Sequence, residues 1–292
     1  MNFKERIKLA LSILKDGVKP AKSVVHKSDL EPSLVIDNQL LSGKNVLITG
    51  AGKNIGKSIA IEMAKQGANI FFTDLNPQSC TELEQELASY QVESQGFVSD
   101  ISKIEDINRL LNILHEQEIY IDILVNNVGI QLETKQIINL DLKEWYQTFN
   151  TNIFGPIYLT KNIAKMMMQN SRHGSIIFVT SIHQWITIGF PSYSSSKAAL
   201  GMIIQELAVD LAPAGIRVNG IAPGLVAEDE EGKAKYHHYA PLHHTSINPC
   251  YIGRAAVYLA SEYFSKFTTG SVIKIDAGVS SYSYCLVPIS PE

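Results

Sequence analysis

Residues 49–58 read Thr49-Gly50-Ala51-Gly52-Lys53-Asn54-Ile55-Gly56-Lys57-Ser58. Two phosphate-binding patterns overlap in this run. From Ala51 it nearly satisfies G-x-x-x-x-G-K-[ST], the loop of nucleotide triphosphatases, with Ala in the place of the first Gly. From Thr49 it is a glycine turn of the kind that cradles a dinucleotide. Both readings place the loop between a strand and a helix, with phosphate at the helix N-terminus, where free N–H groups and the dipole favour an anion. The flanking sequence has to separate them.

Downstream, short apolar runs alternate with helical periodicity. Residues 45–49, 69–73, 94–98, 121–126, 175–180, 216–221 and 271–275 read as strands. Residues 56–66, 81–90, 104–116, 142–169 and 193–211 read as helices, with a bend at Gly155-Pro156 inside the fourth. Continuously apolar strands between helices predict a parallel sheet covered on both faces. Right-handed crossovers make it a doubly wound, three-layer α/β/α sheet of the Rossmann type. No linker interrupts residues 41–292, so they are expected to form one domain. In residues 1–40, Phe3, Ile7, Ala10, Leu11, Leu14 and Val18 recur at helical spacing, which predicts an amphipathic helix in an N-terminal extension.

Bulk composition excludes several classes. Of the 292 residues, 45% are hydrophobic and 18% charged, ordinary values for a globular protein. A net charge of −4, with no basic aromatic stripe, gives no sign of a nucleic-acid partner. No apolar run approaches the roughly 18 residues of a membrane span. Cys80, Cys250 and Cys285 are odd in number and far apart, so a reducing, cytoplasmic compartment is expected and a disulfide framework is not.

Asp74 ends the second strand, 24 residues after Gly50 (74 − 50). A dinucleotide fold uses an acid near that point to bind the adenosine ribose hydroxyls, and the same carboxylate repels a 2′-phosphate. Leu75 follows it. These residues favour NAD over NADP, with Lys53 as a mild counter-signal. Tyr193 and Lys197 stand at i and i+4 on one helix face. A phenol has a pKa near ~10, and a neighbouring ammonium would lower it, fitting Tyr193 for general acid–base work. Ser181 ends a strand at the carboxyl edge of the sheet, where its hydroxyl can meet a substrate oxygen.

The glycine turn, Asp74, Asp100, Asn126-Asn127-Val128-Gly129, Asn152, Ser181, Tyr193-x-x-x-Lys197 and Ala222-Pro223-Gly224 occur in the order found in short-chain dehydrogenases/reductases. The chain resembles that family along nearly all of residues 41–292. The resemblance implies hydride transfer between a nicotinamide cofactor and a secondary alcohol or ketone, with Ser181, Tyr193, Lys197 and Asn152 as the catalytic group. Asn152 would anchor a proton relay to solvent. The cofactor would lie on Gly50, Gly52, Lys53, Asn54, Ile55, Gly56, Asp74, Asp100, Ile101, Asn127, Gly129, Tyr193, Lys197, Pro223, Gly224 and Val226. It also implies a homotetramer or homodimer. Asn54 stands where the family usually has Gly; of the other residues, Asn best tolerates a left-handed backbone. Ala227 stands where the family often has Thr, and its hydroxyl is missing.

Substrate choice is expected from residues 182–192, with His183 and Trp185 as pocket candidates, and from a lid at about 227–251. The lid carries acids 228–231 and the pairs His237-His238 and His243-His244. Adjacent histidines point in different directions on any regular element, so no metal site is expected. The remaining alternatives are a triphosphatase and a non-catalytic dinucleotide-binding sensor.

Overall fold

The computed structural model describes residues 39–132, 137–170, 173–226, 240–242 and 246–281. The expected N-terminal amphipathic helix, most of the expected lid with both histidine pairs, and Ala227 lie outside the described residues.

Seven parallel strands among the described residues form one sheet in the order β3-β2-β1-β4-β5-β6-β7. They are β1 (Asn45–Thr49), β2 (Asn69–Asp74), β3 (Ser94–Val98), β4 (Ile123–Asn126), β5 (Ser175–Val179), β6 (Arg217–Pro223) and β7 (Val272–Ile275). The helices are α1 (Asn54–Ala64), α2 (Pro77–Leu87), α3 (Ile104–Glu116), α4 (Leu142–Phe149), α5 (Gly155–Gln169), α6 (Pro191–Leu211), α7 (Pro249–Ala260) and the short α8 (Glu262–Ser265).

Strand side chains alternate between faces, so an unbroken apolar strand feeds two cores. Val46 and Ile48 of β1 pack with Ile70 and Phe72 of β2 against Ile59 and Met63 of α1 and Ile252 and Ala256 of α7. Leu47 and Phe71 point the other way, into the cluster holding Leu110 of α3, Ile163 of α5 and Ile204 of α6. Each fully buried Leu, Ile or Phe contributes about 1.5–3 kcal/mol relative to exposure. This arrangement is the expected three-layer doubly wound sheet. The order in which strands are added reverses between β1 and β4, which opens a crevice above their carboxyl ends.

Four local readings change. Asn76 caps α2 by accepting from Gln78 N (3.0 Å), and Pro77 takes the first helical position. Helix α2 therefore starts four residues before the expected 81. The expected helix over 142–169 is two helices joined by a π segment, Asn150–Phe154. Pro156 has no N–H to continue the ladder there. Gly155 lies so close to the Ile101 carbonyl that a Cβ would overlap it. Helix α7 was not expected; its start at Asn248-Pro249 repeats the cap-and-proline device, with Asn248 accepting from Cys250 N (2.9 Å). Finally, β6 runs on to Pro223, which carries the chain further over the crevice.

Candidate active site

The glycine turn is built by close backbone contacts. Gly50 has φ +66°, and a Cβ on it would stand 2.8 Å from Val128 Cγ2. A Cβ on Gly56 would overlap the Gly50 carbonyl oxygen. Asn54 adopts φ +47°, the left-handed conformation expected of it. Asn127, beyond β4, pins the turn by donating from Nδ2 to the Thr49 and Gly50 carbonyls (3.0 and 2.9 Å). Thr49 Oγ1 accepts in return from Asn127 N and Val128 N (3.0 and 3.2 Å). Lys53 stands at the N-cap of α1 and makes no capping bond with its side chain. The cradle thus has the glycines and the helix N-terminus that a pyrophosphate requires.

Lys57 does not serve this cradle. Its Nζ pairs with Glu86 of α2 at 2.7 Å, so the lysine of the triphosphatase pattern is turned toward a neighbouring helix. The spacing between Gly50 and Asp74 becomes a contact. Asp74 Oδ2 accepts from Gly52 N (2.9 Å) and Oδ1 from Asn76 N (3.0 Å). Its neighbour Leu75 is exposed.

Asp100 is engaged locally. It accepts from Ser102 N (3.0 Å) and Ser102 Oγ (2.6 Å), and Lys103 Nζ lies 3.2 Å away. Burial alone would raise its carboxyl, but these partners together hold it below the ordinary range. Ile101 is buried in the core. Past β6, Gly224 N donates to Ile275 O (2.9 Å), and a Cβ on Gly224 would stand 2.7 Å from Asp276 Cα. Val226 forms a parallel bridge with Ile247.

Ser181, Tyr193 and Lys197 come together at the end of β5. Ser181 is buried, caps the short turn Ile182–Gln184 through a 3.3 Å bond from His183 N, and hydrogen-bonds the Tyr193 phenol. Lys197 is also buried; its Nζ donates to Val179 O (2.9 Å) and lies 5.6 Å from the Tyr193 ring centroid. A Cβ on Gly129 would come within 3.0 Å of that Nζ. Burial holds the Lys197 ammonium at about 8.

The expected lowering of the Tyr193 pKa is not what the structure has. Burial pushes the phenol above its ordinary value, and the Ser181 hydrogen bond only partly opposes that. The ammonium is turned to the Val179 carbonyl, and the phenol is desolvated, so its neutral form is favoured.

Asn152 sits in the π segment and is buried. Its Oδ1 accepts from Ile130 N (2.8 Å), and its Nδ2 donates to Ile130 O (3.0 Å) and Ser196 Oγ (3.0 Å). Ser196 Oγ in turn donates to the Tyr193 carbonyl (2.7 Å). The opened turn therefore holds both the loop after β4 and the start of α6. Sequence reasoning missed Ser196 and Thr49 as ties; the only signal was a hydroxyl residue beside each recognised motif.

His183 is half buried. Its Nδ1 lies 3.0 Å from Ser194 Oγ, and its ring meets that of Tyr193 edge-on, with centroids 5.0 Å apart. Trp185 is more exposed, with Lys274 Nζ 4.4 Å from its centroid. Among the described residues there is no cluster of three or more His, Cys, Asp or Glu that could hold a metal ion. No helix among them is long and apolar enough to cross a membrane.

Comparison with known proteins agrees with this geometry. The family model described as enoyl-(acyl carrier protein) reductase matches residues 50–280. The chain is 31% identical over 247 residues to a 3-oxoacyl-(acyl-carrier-protein) reductase of Aquifex aeolicus, covering 82% of this chain and 98% of that one. It is 31% identical over 252 residues to the 7alpha-hydroxysteroid dehydrogenase of Escherichia coli K12, covering 83% and 96%. Among solved structures, a short-chain type dehydrogenase/reductase from Mycobacterium marinum superposes with TM-score 0.77 at 29% identity, over 83% of this chain and 98% of that one. A 7 alpha-hydroxysteroid dehydrogenase complexed with NADH and 7-oxo glycochenodeoxycholic acid gives 0.75 at 28% identity, over 87% and 98%. A gluconate 5-dehydrogenase from Burkholderia cenocepacia, in complex with NADP and tartrate, gives 0.76 at 25% identity, over 84% and 99%. With a glycine cradle on β1, an acid on β2 and a Ser-Tyr-Lys group above β5, the chain belongs to the short-chain dehydrogenase/reductase family of oxidoreductases.

Proposed function

We propose that the protein interconverts a secondary alcohol and a ketone with NAD as cofactor, and that Tyr193 is the general acid and base. The observation that carries this reading is the Ser181–Tyr193 hydrogen bond beside the buried Lys197. A bound nicotinamide dinucleotide supplies the hydride in reduction and accepts it in oxidation. Ser181 Oγ and the Tyr193 phenol hold the reacting oxygen from one side. In reduction, the phenol, kept protonated by burial, gives its proton to that oxygen as negative charge develops there. In oxidation it takes the proton back. Lys197, with a pKa of about 8, exchanges protons near neutral pH and restores Tyr193. Asn152 and Ser196 keep these groups in register.

Gly50, Gly52, Asn54, Ile55 and Gly56 would cradle the pyrophosphate, with Lys53 at its edge. Asp74 would take the adenosine ribose hydroxyls. Its carboxylate, followed by Leu75 with no cation, favours NAD over NADP. Asp100, Asn127 and Gly129 would line the adenosine side and the floor, with Ile101 supporting that side from within the core, and Pro223, Gly224 and Val226 would line the nicotinamide side. His183 and Trp185 would face the substrate. Free thiols at Cys80 and Cys250 fit a reducing, cytoplasmic compartment. Leu142, Tyr146, Phe154, Met202 and Val209 on the α4–α6 elements are more than half exposed, which supports a homo-oligomer.

The test is turnover of NADH and NADPH against a carbonyl panel by the wild type and by Tyr193→Phe. The substitution should abolish turnover and leave NADH binding within about twofold. Unchanged turnover refutes the role of Tyr193. NADH binding by the wild type, with no turnover of any carbonyl or alcohol, would replace this reading with a dinucleotide-binding sensor.

A further inference from the structure

We infer that His183 sets substrate choice: its imidazole pairs with a second oxygen close to the reacting carbon. The site would then select vicinal diols, polyols and α-hydroxy ketones over monohydroxy alcohols. This inference rests on the oxidoreductase reading of the same site.

The ring is held from three directions. Its own backbone N–H is tied to Ser181 Oγ (3.3 Å), so it follows directly the group that holds the reacting oxygen. Its Nδ1 is paired with Ser194 Oγ at 3.0 Å, from the first turn of α6. Its edge meets the Tyr193 ring at 5.0 Å between centroids, and the Phe190 ring lies at 6.0 Å. Three contacts thus hold the imidazole, and a backbone bond ties its residue to Ser181.

One nitrogen is left over. Among the described residues, Nε2 has no hydrogen-bond partner, while Nδ1 does. Nε2 is not buried, so an incoming ligand can reach it. The ring that carries it packs at nearly a right angle to that of Tyr193. Burial, and then the Lys197 ammonium, push the ring below its ordinary pKa, so it is neutral at physiological pH. A neutral ring offers no charge for a carboxylate. Because the Ser194 hydroxyl can either donate to or accept from Nδ1, Nε2 is free to carry the proton or not. It can therefore accept from or donate to the neighbouring hydroxyl, the group that a diol and its α-hydroxy ketone both carry beside the reacting carbon.

The experiment compares kcat/KM for matched pairs, 2,3-butanediol against 2-butanol and 1,2-cyclohexanediol against cyclohexanol. It uses the wild type, His183→Phe and His183→Gln, with NADH binding followed by fluorescence. His183→Phe keeps a ring beside Tyr193 and removes both nitrogens. His183→Gln removes the ring and keeps a donor and an acceptor. The wild type should favour each diol by about tenfold or more, the scale of one buried hydrogen bond. The ratio should collapse to below about threefold in His183→Phe and be largely kept in His183→Gln. A wild type with no preference for the diols overturns the inference and leaves the oxidoreductase reading standing. So does a ratio unmoved in His183→Phe, or an equal loss on both members of each pair in both variants. A wild type that binds NADH and turns over no alcohol or ketone overturns the oxidoreductase reading and this inference together.

Discussion

Replacing Lys197 with Met separates the energetic cost of this site from its chemistry. The ammonium is buried, and its pKa is about 8 against 10.5 for a free lysine. In the unfolded chain it holds its proton up to about 10.5. Between those pH values the unfolded state binds more protons than the folded one, so stability rises with pH by about 1.4 kcal/mol per pH unit. Below pH 8 the folded protein carries the full cost of burying the charge, about 3 kcal/mol from a gap of about 2.5 pH units. From pH 7 to 9.5 the wild type should therefore gain about 2 kcal/mol from this group alone. Lys197→Met keeps a side chain of similar length and removes that gain. Part of the relief is offset by loss of the bond to the Val179 carbonyl. That loss does not vary with pH, so the difference between the two pH values isolates the charge.

Other groups do not disturb the comparison. Burial raises the Cys80 thiol from 9.0, so its contribution falls as pH rises, but it is present in both proteins and cancels. Tyr193 is raised above 10.0 by burial, so its contribution also falls toward the top of the window, but it too is present in both proteins and cancels. His183 is lowered from 6.5 and is already neutral at pH 7. The assay is urea unfolding of both proteins at pH 7 and 9.5 at one protein concentration, since any self-association makes the midpoint depend on it. The stability difference between wild type and variant should change by about 2 kcal/mol between the two pH values. Turnover by the variant should fall at least about a hundredfold. Parallel behaviour of the two proteins, within about 0.5 kcal/mol, refutes the reasoning.

Gly56→Ala sets a methyl against the Gly50 carbonyl and 2.7 Å from the Asn127 amide. It should weaken NADH binding at least tenfold and lower stability by about 1–3 kcal/mol; undiminished NADH affinity would count against the turn as cradle. Asp74→Asn removes the charge that repels a 2′-phosphate and turns an amide toward Gly52 N. The NADPH-to-NADH ratio of kcat/KM should rise about tenfold or more while NADH affinity drops; an unmoved ratio would refute the assigned preference. Asn152→Ala strips partners from both backbone groups of Ile130 and from Ser196. With each buried group left unpaired costing about 1–3 kcal/mol, urea unfolding should show a loss of about 3 kcal/mol, and a loss below about 1 kcal/mol would mean that the loop is held by other contacts.

Strands were legible because their signal is local. Runs such as NVLIT and SIIFV are short, apolar and bounded, and two of them were placed with their end residues intact: 45–49 and 94–98. Helix α3 was read without error because its apolar residues keep one face and its charges the other. Helix α7 is hidden when residues up to 251 are read as a lid, although Asn248-Pro249 marks a helix start. Asn54 was read correctly from one residue type, since few others accept a left-handed backbone. The break at Asn150–Phe154 was half visible. Gly155-Pro156 announced a bend, but the Ile101 carbonyl that requires the glycine comes from a loop remote in sequence.

The sequence by itself determined the alternation of strand and helix, the glycine turn, the acid that ends β2 and the order in which Ser181, Tyr193 and Lys197 follow. Those properties depend on residues within a few positions of one another. Only the tertiary structure decided which of them meet. Asp74 touches Gly52 because β2 lies beside β1, and Asn127 locks the turn because β4 lies on the other side. It also reversed the expected direction of the Tyr193 pKa. Sequence spacing brings an ammonium near the phenol, but only packing determines how far water is removed, and at this site desolvation outweighs the Ser181 hydrogen bond.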